Sequence, residues 1–491
     1  MVQIIIIAVY FALTVAIGLW SMRKSKSADS FHGTELGVIA IVCASAGEWL
    51  GGTSTTGVSE YGFNFGLSGS WYTIANGVGV MFLAICFAKL YRSLDSVTVP
   101  GIIEHFFGVK ARSVSSVILT IVMLAVGLSQ MIAAGKLGQS LLGFDFNWTV
   151  VGFAILFIIY TLAGGMNAVA STNQLHLFVM YGGVILAIIF ALMKVDGWGN
   201  FTDGITAVAA TEGKESYFSM FAIGMPRVSS WILASLLGAC TAQAGIQPVL
   251  AAKDVPTAKQ SCIVTALVVA PFGIFTAILG MVAKVMSSHG DLLDVAGANV
   301  TDAKLALPTL MMNLPPIVGG LVLASILAAI LSTVSPIILA AGTMITKDLY
   351  QRVLRPSATD AQVLFMSRLT TAISGVICTV AAIAFVNMTA VLDIVYSAYS
   401  LRGALFIVVL LGIYWRRSSE KGACWSMVLT AIVAVAWVAI KMASGHYPIS
   451  DVLTETYAAV IVAFIATILF SLIFPKKSSE QDSNDRIKEA K

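Results

Sequence analysis

The chain has 491 residues, of which 58% are apolar and 11% are charged, with a net charge of +4 and a mean hydropathy of +0.90. Soluble domains carry about 25% charged residues, and a soluble core cannot bury this much apolar surface. The composition therefore predicts an all-α polytopic membrane protein, and it excludes cytosolic enzymes, disulfide-stapled secreted proteins and nucleic-acid binders.

A membrane-spanning helix needs about 20 largely apolar residues, and the sequence contains about 13 such runs. Their approximate bounds are 2–20, 37–57, 66–90, 113–142, 149–162, 173–195, 228–250, 261–286, 317–344, 367–386, 390–415, 424–442 and 457–474. We predict a single transmembrane domain over residues 1–475. The polar residues 476–491 are predicted to form a disordered cytoplasmic tail.

Basic residues are distributed unevenly among the predicted loops. With the N-terminus outside, 21 of the 29 Lys and Arg residues fall in inner segments, 7 in outer segments and one, Arg402, inside a span. Positively charged loops remain on the cytoplasmic side. The bias therefore predicts a multi-pass protein of the cell membrane, with its N-terminus outside and its C-terminus in the cytoplasm.

Two predicted spans contain residues that interrupt a helix. The second reads ASAGEWLGGTSTTG over residues 44–57, and the seventh reads GACTAQAGIQP over residues 238–248. They lie five spans apart, which is typical of an inverted five-plus-five repeat with both first helices broken around a midplane site. The repeats are predicted over about 37–195 and 227–415. Small residues also allow close helix packing, so packing alone is the alternative.

The ninth span supplies a cluster of hydroxyl residues over 328–336, with the sequence AAILSTVSP. Na⁺ is a hard cation that prefers oxygen ligands, and hydroxyls together with carbonyls freed by a broken helix can replace its water shell. Hydroxyls in membrane helices also commonly bond to a carbonyl one turn earlier, so the cluster alone does not identify an ion site.

Several motifs lie in the predicted inner segments. The longest reads YTLAGGMNAVASTNQ over residues 160–174, and others lie over residues 98–108, 247–253 and 347–350. Together they resemble inner motifs of the sodium:solute symporter family over about residues 1–475. The most specific is the stretch over residues 160–174, which resembles the family's inner-loop pattern of Gly-Gly, Ala-Val and Thr-Asp. The resemblance implies a LeuT-type inverted repeat with one extra N-terminal and two extra C-terminal helices.

The same resemblance implies Na⁺-coupled import of a small polar organic solute by alternating access, without enzymatic activity. In the family, one Na⁺ lies between the second and ninth spans. It is bound by two backbone carbonyls of the second span, and by a carbonyl and two hydroxyls of the ninth. The matching motifs assign these five ligands to Gly47, Leu50, Ala329, Ser332 and Thr333.

A second ion site is incomplete in this sequence. Some relatives bind a second Na⁺ through two further serines and the aspartate of the Thr-Asp motif. Ser335 matches one serine, but Pro336 replaces the other and Asn173 replaces the aspartate. Because an anionic ligand and a hydroxyl are both lost, we expect one Na⁺ per transport cycle.

Two ionisable residues lie inside predicted spans, where charges are costly and tend to be functional. Arg402 is roughly 20 Å from either end of its span at 1.5 Å per residue, too far to reach the interface. Glu48 lies in the middle of the broken second span. Either the two form a buried ion pair that fixes packing, or Arg402 binds a solute carboxylate and Glu48 an amine or a proton. The second interpretation suits a zwitterion or a small organic acid.

Four further residues lie on spans that line the solute cavity in the family. They are Gln130, Trp71, Tyr72 and Gln243, and a packing role is the stronger alternative for each. His176 has no partner at ligand spacing and is predicted to be structural.

Three other functions stay open at this stage. A solute sensor would bind the solute and signal through another protein; the short tail leaves no room for a kinase domain, which argues against a fused receptor. An intramembrane enzyme would need paired acids or histidines at a membrane face. A proton-coupled transporter would use Glu48 as the proton carrier. The predicted partners are the solute, Na⁺ and the lipid bilayer, with no nucleic acid and no obligatory protein partner.

Overall fold

The computed structural model describes residues 2–22, 36–94, 96–214, 216–388 and 390–476, without the side chains of residues 15, 18–22 and 163–171. Across these residues the chain forms helices and turns, with two isolated β-bridges and no strand. Most of the loop after the first predicted span, residues 23–35, and almost all of the predicted tail lie outside the described residues.

The helices are labelled in chain order. Those of the first half are α1 (Val2–Met22), α2 (Val38–Trp49), α3 (Val58–Phe65), α4 (Trp71–Cys86), α5 (Ala88–Ser93), α6 (Val99–Phe107), α7 (Val109–Leu142), α8 (Phe146–Lys194), α9 (Trp198–Glu212) and α10 (Met225–Gly238). Those of the second half are α11 (Gln243–Leu250), α12 (Val255–Val269), α13 (Phe272–His289), α14 (Ala303–Met312), α15 (Pro316–Thr343), α16 (Asp360–Phe385), α17 (Val391–Tyr414), α18 (Glu420–Ser444) and α19 (Glu455–Ile473). A π-helix, Met344–Leu354, continues α15.

Nine helical stretches in the described part of the chain are long and apolar enough to cross a membrane, or ten if α10 and α11 form one bent span. Shorter apolar helices occupy other predicted spans; α2, for example, has 12 residues because the chain breaks after Trp49. The predicted all-α, multi-span architecture is confirmed. The count of 13 spans stays a prediction.

Helix α8 covers two predicted spans and the inner motif between them. Its backbone is helical over 49 residues, about 73 Å if it were straight. However, the hydroxyls of Tyr160 and Thr172 are hydrogen-bonded to each other, although 12 residues of straight helix would separate them by about 18 Å. The helix therefore bends back between these residues, and its two halves are separate segments, as the sequence predicted. The predicted inner loop is a bent helical segment.

Helix α15 forms the centre of the molecule. It packs against α1, α2, α7, α8 and α16. The stretch Pro316–Leu354 is the most buried of the nine, with 83% of its most apolar window inside the protein. This position places the hydroxyl cluster of α15 far from lipid and directly beside the break that follows α2.

The last two helices lie at the periphery. Helices α18 and α19 pack mainly on each other, and α19 also packs on α17. Their outward positions are large and apolar, as expected for a surface that faces lipid tails. Examples are Ile432, Val435, Leu469 and Leu472. Helix α1 similarly covers α8 and α15 from outside.

Candidate functional site

The first broken helix is interrupted just after Glu48. Helix α2 ends at Trp49, Leu50 has non-helical dihedral angles, and the chain resumes as a π-helix from Thr53 to Gly57. Gln130 of α7 binds the interruption. Its Oε1 accepts a 2.6 Å hydrogen bond from the Gly52 amide, and its Nε2 donates to the Thr53 hydroxyl at 2.5 Å. Away from water, peptide groups freed by a break need such partners.

The second broken helix has a similar interruption. Helix α10 ends at Gly238, a 3₁₀ turn covers Ala239–Thr241, and α11 then starts at an angle of 42° to the preceding segment. The Thr241 hydroxyl donates a 2.6 Å hydrogen bond to the carbonyl of Arg402 in α17. Both breaks therefore occur where the glycines and amides of the sequence predicted them.

Four of the five predicted Na⁺ ligands are joined by hydrogen bonds between α2 and α15. The Ser332 hydroxyl donates to the carbonyl of Gly47 at 3.2 Å and to the carbonyl of Ala329 at 2.8 Å. The Thr333 hydroxyl donates to the same Gly47 carbonyl. Leu50, the fifth predicted ligand, is fully buried at the break itself. Both hydroxyls and both carbonyls thus meet at one point.

The chemistry of this point fits a small monovalent cation. Its donors are neutral oxygens, which suit Na⁺ and do not balance the charge of a divalent metal. Among the described residues, no cluster of three or more His, Cys, Asp or Glu side chains could hold a metal ion. A cation here would replace the hydrogen bonds that the two hydroxyls now donate to Gly47.

The predicted second ion site lacks a carboxylate in the structure as well. Asn173 of α8 donates its side-chain amide to the carbonyl of Ser332 at 3.2 Å. Ser335 is buried, and its hydroxyl has no hydrogen-bond partner among the described residues. Pro336 lies inside α15 and contributes no hydroxyl.

Glu48 and Arg402 face each other but do not form a hydrogen-bonded pair. Their nearest atoms, Oε1 and Nη1, are 3.7 Å apart, and both side chains are completely buried. Neither carboxylate oxygen of Glu48 and none of the three guanidinium nitrogens of Arg402 has a hydrogen-bond partner in the described part of the protein. Two buried charged groups without hydrogen-bond partners are energetically costly, unless a bound molecule supplies those partners.

Aromatic rings surround the guanidinium group. Its central carbon lies 3.7 Å from the centroid of the Tyr399 ring and 5.0 Å from that of Trp49. The hydroxyls of Tyr399 and Tyr72 are 3.2 Å apart. Cation–π contacts of this kind stabilise a desolvated guanidinium by about 2 kcal/mol. The N–H groups of the guanidinium have no hydrogen-bond partner among the described residues and stay available to a ligand.

Each charge lies against a glycine of the second broken helix. A Cβ at Gly245 would come within 3.0 Å of Glu48 Oε2, and a Cβ at Gly238 would come within 3.1 Å of Arg402 Nε. A small, mostly apolar cavity adjoins Trp49 and Gly245. The two breaks and the two charges therefore occupy one region of the protein.

Sequence reasoning proposed Tyr72 but missed the other aromatic members of this region. Trp49 follows Glu48 directly, and Tyr399 lies three residues before Arg402, on the same face of α17. Tyr396, one turn earlier, is stacked on Trp231 of α10 with ring centroids 4.2 Å apart. Aromatic residues at helical spacing from an intramembrane arginine were the available signal.

The four weaker solute candidates lie in different places. Tyr72 belongs to the aromatic group around Arg402, and Gln130 binds the first break. Gln243 binds backbone groups of residues 97 and 99, and Trp71 donates to the carbonyl of Met220 at 2.7 Å.

His176 contacts a group outside the solute region. Its Nδ1 is hydrogen-bonded to Tyr10 of α1. This contact joins α8 to the N-terminal helix, which agrees with a structural role.

A polar network covers the region on the side of the α10 N-terminus. Asp393 of α17 accepts hydrogen bonds from Tyr61 at 2.7 Å and from Arg227 at 2.6 Å. The Arg227 guanidinium also lies 6.0 Å from the ring of Trp231. These contacts join α3, α10 and α17 near the N-terminal ends of α10 and α17.

Comparisons with known proteins agree with this geometry. The sequence model of the sodium:solute symporter family matches residues 31–430. The sodium/proline symporter of Staphylococcus aureus strain JH9 is 26% identical over 497 aligned positions, covering 98% of this chain and 94% of that protein.

Two solved structures share the fold. The substrate-bound, outward-open structure of a Na⁺-coupled sialic acid symporter matches with a TM-score of 0.76 and 20% identity, covering 96% of this chain and 98% of that one. A nucleobase-cation-symport-1 transporter, in a closed conformation with bromovinylhydantoin bound, matches with a TM-score of 0.59 and 13% identity, covering 94% and 98%.

Replacing Thr333 by alanine tests the cation site. The variant removes one oxygen from the cluster around the Gly47 carbonyl, and we expect the Kd for Na⁺ to rise about tenfold, equivalent to about 1.4 kcal/mol. Isothermal titration of the purified protein with NaCl measures this Kd. Ser325→Ala is the matched control, because this buried α15 hydroxyl bonds only within its own helix, to Val322. Equal Na⁺ affinity in both variants would place the ion elsewhere.

Proposed function

Because the chain belongs to the sodium:solute symporter family, a family of secondary transporters, it is a multi-pass membrane protein that couples solute transport to Na⁺. We propose that its solute is a small molecule with a carboxylate group and that an adjacent ammonium group on the solute gives the best charge balance. The observation that carries this proposal is the 3.7 Å approach of Glu48 to Arg402, an ion pair in which neither side chain has a hydrogen-bond partner among the described residues. We further propose import from outside with one Na⁺ per cycle.

The solute class follows from charge balance in a desolvated site. A carboxylate on Arg402 satisfies the guanidinium edge, since paired N–H groups match two carboxylate oxygens. If the solute carried only that charge, Glu48 would be left as an uncompensated anion. An ammonium group beside the carboxylate supplies the missing partner for Glu48. A zwitterion therefore supplies an oppositely charged partner to both Arg402 and Glu48, whereas a simple organic acid requires that Glu48 take up a proton.

Relatives are consistent with such a solute. The Staphylococcus aureus protein is named for proline, a zwitterion, and the structural neighbour for sialic acid, which carries a carboxylate. Neither name identifies the solute of this chain, because one scaffold serves many solutes.

The coupling mechanism follows from the position of the cation site in the chain. Gly47 supplies its carbonyl to the Na⁺ cluster, and the next residue is Glu48. Na⁺ bound between α2 and α15 would fix the end of α2 and thereby the carboxylate that meets the solute. Movement of α2 away from α15 would separate the Na⁺ ligands and release both Na⁺ and the solute. Coupling is then a difference in Na⁺ affinity between two conformations.

The proposed orientation puts the N-terminus outside and the C-terminus in the cytoplasm of the cell membrane. It rests on the 21 to 7 distribution of basic residues between predicted inner and outer segments. In this orientation the Asp393 network lies on the outer side, and the ends of α2 and α11 that are remote from the breaks lie on the inner side.

Proton coupling through Glu48 is the second candidate. The buried carboxylate, with no hydrogen-bond partner in the described residues, has room for a proton. Proteoliposomes with an internal pH dye separate the two cases, with L-alanine as the first probe solute. Solute-dependent acidification in choline medium would favour proton coupling, and its absence would favour Na⁺ coupling.

Replacing Arg402 by glutamine tests the solute site. We screen L-amino acids and short-chain carboxylates by thermal shift in NaCl, since a ligand of the folded state raises its apparent stability. Compounds that stabilise the parent protein are expected to lose at least 100-fold in affinity in the variant, because the carboxylate loses its charged partner. Na⁺ affinity is expected to stay within about threefold of the parent.

Two variants complete this test. Arg416→Gln removes an exposed arginine just beyond the same helix and should leave every shift unchanged. Glu48→Gln should abolish binding of amino acids but preserve binding of carboxylates. Unchanged solute affinity in Arg402→Gln would remove the guanidinium from the site.

The number of bound ions is tested without knowledge of the solute. The chain lacks the aspartate and one serine of the second ion site, so we expect purified protein to bind one Na⁺ at saturation. Equilibrium binding of ²²Na⁺, with choline as the balancing cation, counts the ions per polypeptide. A saturation value of two would contradict the proposed stoichiometry.

A further inference from the structure

A second polar network lies on the predicted inner side, remote from both the Na⁺ cluster and the solute charges. Asp348, in the π-helix that continues α15, is its buried centre, with a side-chain exposure of 0%. Its Oδ1 accepts hydrogen bonds from the Thr98 hydroxyl at 2.8 Å and from Nε and Nη2 of Arg112 at 2.8 and 2.6 Å. Its Oδ2 has no hydrogen-bond partner in the described part of the chain.

The network closes into a ring through two more charges. Arg112 also donates to Glu104 of α6 at 2.5 Å, and Glu104 accepts hydrogen bonds from Arg352, one helical turn after Asp348. Burial raises the pKa of Glu104, but hydrogen bonds from Arg352 and Arg112 outweigh it and hold that pKa below its ordinary value. Glu104 is therefore charged at neutral pH. The ring joins α6 and α7 of the first repeat to the end of α15 in the second.

The network continues to the inner half of the second broken helix. The backbone on either side of Thr98 binds one side chain. The Val99 amide donates to Gln243 Oε1 at 2.7 Å, and Gln243 Nε2 donates to the Val97 carbonyl at 3.2 Å. Gln243 is the first residue of α11. The segment over residues 97–99 thus ties α15 to α11.

The first broken helix is tied to the same place. Leu36, just before α2, exchanges backbone hydrogen bonds with the chain after α11, to the Ala251 carbonyl at 2.8 Å and from the Lys253 amide at 3.2 Å. Arg92 adds a 2.6 Å bond to the Ala252 carbonyl. The inner ends of both broken helices are therefore held together on the side of the protein that carries the ring.

We infer that the ring of Asp348, Arg112, Glu104 and Arg352, with Thr98 and Gln243, is the inner latch of the transporter, which must open before solute and Na⁺ leave toward the cytoplasm. Three features support this role. It crosses from one repeat to the other, it includes the first residue of α11, and its central carboxylate is on the helix that carries Ser332 and Thr333. The inference rests on the proposed function for the direction of release only.

Solvent exposure increases from the centre of the latch to its edge, which suits repeated opening. Asp348 is fully buried, whereas the Arg352 side chain is 50% exposed. A polar cavity of about 510 Å³ borders the ring, lined by residues that include Ser96, Thr98, Glu104 and Lys347. Water in this cavity can replace the outer hydrogen bonds first. The buried Asp348–Arg112 pair opens last, because separating buried charges leaves each one unpaired.

The latch assigns a role to Gln243 that differs from the sequence prediction. Gln243 was expected to line the solute pocket, but both ends of its amide bind backbone groups of the segment over residues 97–99. The residue therefore acts on access to the solute region and not on solute recognition. A change at Gln243 should alter the rate of release more than the affinity of the outward-facing site.

Replacing Asp348 by asparagine tests the latch through the reactivity of a native cysteine. Cys262 of α12 lines the small cavity beside Trp49 and is 1% exposed. In a background where Cys262 is the only cysteine, a membrane-impermeant maleimide is added to inside-out vesicles in choline medium. Asp348→Asn weakens the closed state, so we expect the labelling rate of Cys262 to rise at least fivefold.

Control variants keep the test decisive. Arg355→Gln removes an exposed arginine at the end of the same π-helix, outside the ring, and should leave the labelling rate unchanged. Glu104→Gln weakens only the outer half of the latch and should give a smaller increase. It replaces Asp348→Asn if that variant does not fold. Parental labelling rates in the folded variants would overturn the inference.

This outcome depends on the proposed orientation but not on the proposed solute or coupling ion. Cysteine labelling requires neither the solute nor its identity. If labelling is unchanged while uptake still depends on Na⁺, the latch is wrong and the symport proposal stands. If labelling rises but uptake does not depend on Na⁺, the latch stands and the coupling proposal fails.

Discussion

The structure depends on one peptide carbonyl that a broken helix leaves free. Because α2 ends at Trp49, the Gly47 carbonyl can accept hydrogen bonds from both Ser332 and Thr333 of α15. In an unbroken membrane helix that oxygen would be used within the helix. The free carbonyl thus joins a cluster of neutral oxygens between α2 and α15, where we place Na⁺.

The same break separates two kinds of chemistry that a symporter needs. In our proposal the Na⁺ site contains neutral oxygens, whereas the solute region, one residue further along the chain, contains two ionisable side chains. Glu48 and Arg402 are close enough to limit each other's electrostatic cost, and neither is saturated by hydrogen bonds. Ion affinity can therefore be set by geometry and solute affinity by charge. The shared end of α2 links the two.

Much of this could be predicted from the sequence because its signals are local. Apolar runs predicted the all-helical membrane architecture, and glycines within the second and seventh runs predicted both breaks. Contacts between distant segments could not be predicted in this way. Gln243 lies in a broken helix and was assigned to the solute region, yet it binds the backbone next to Thr98, more than 140 positions away. The aromatic group around Arg402 likewise comes from α2, α4 and α17, which only the fold brings together.

The most direct test of the account asks where Na⁺ acts when no solute is present. Hydrogen–deuterium exchange of the purified protein, compared in NaCl and in choline chloride, reports protection of each peptide. The account predicts that Na⁺ protects the segments around residues 44–57 and 328–336, because the ion joins the end of α2 to α15. Protection confined to other helices, or none at saturating Na⁺, would contradict the assignment of the ion to this junction.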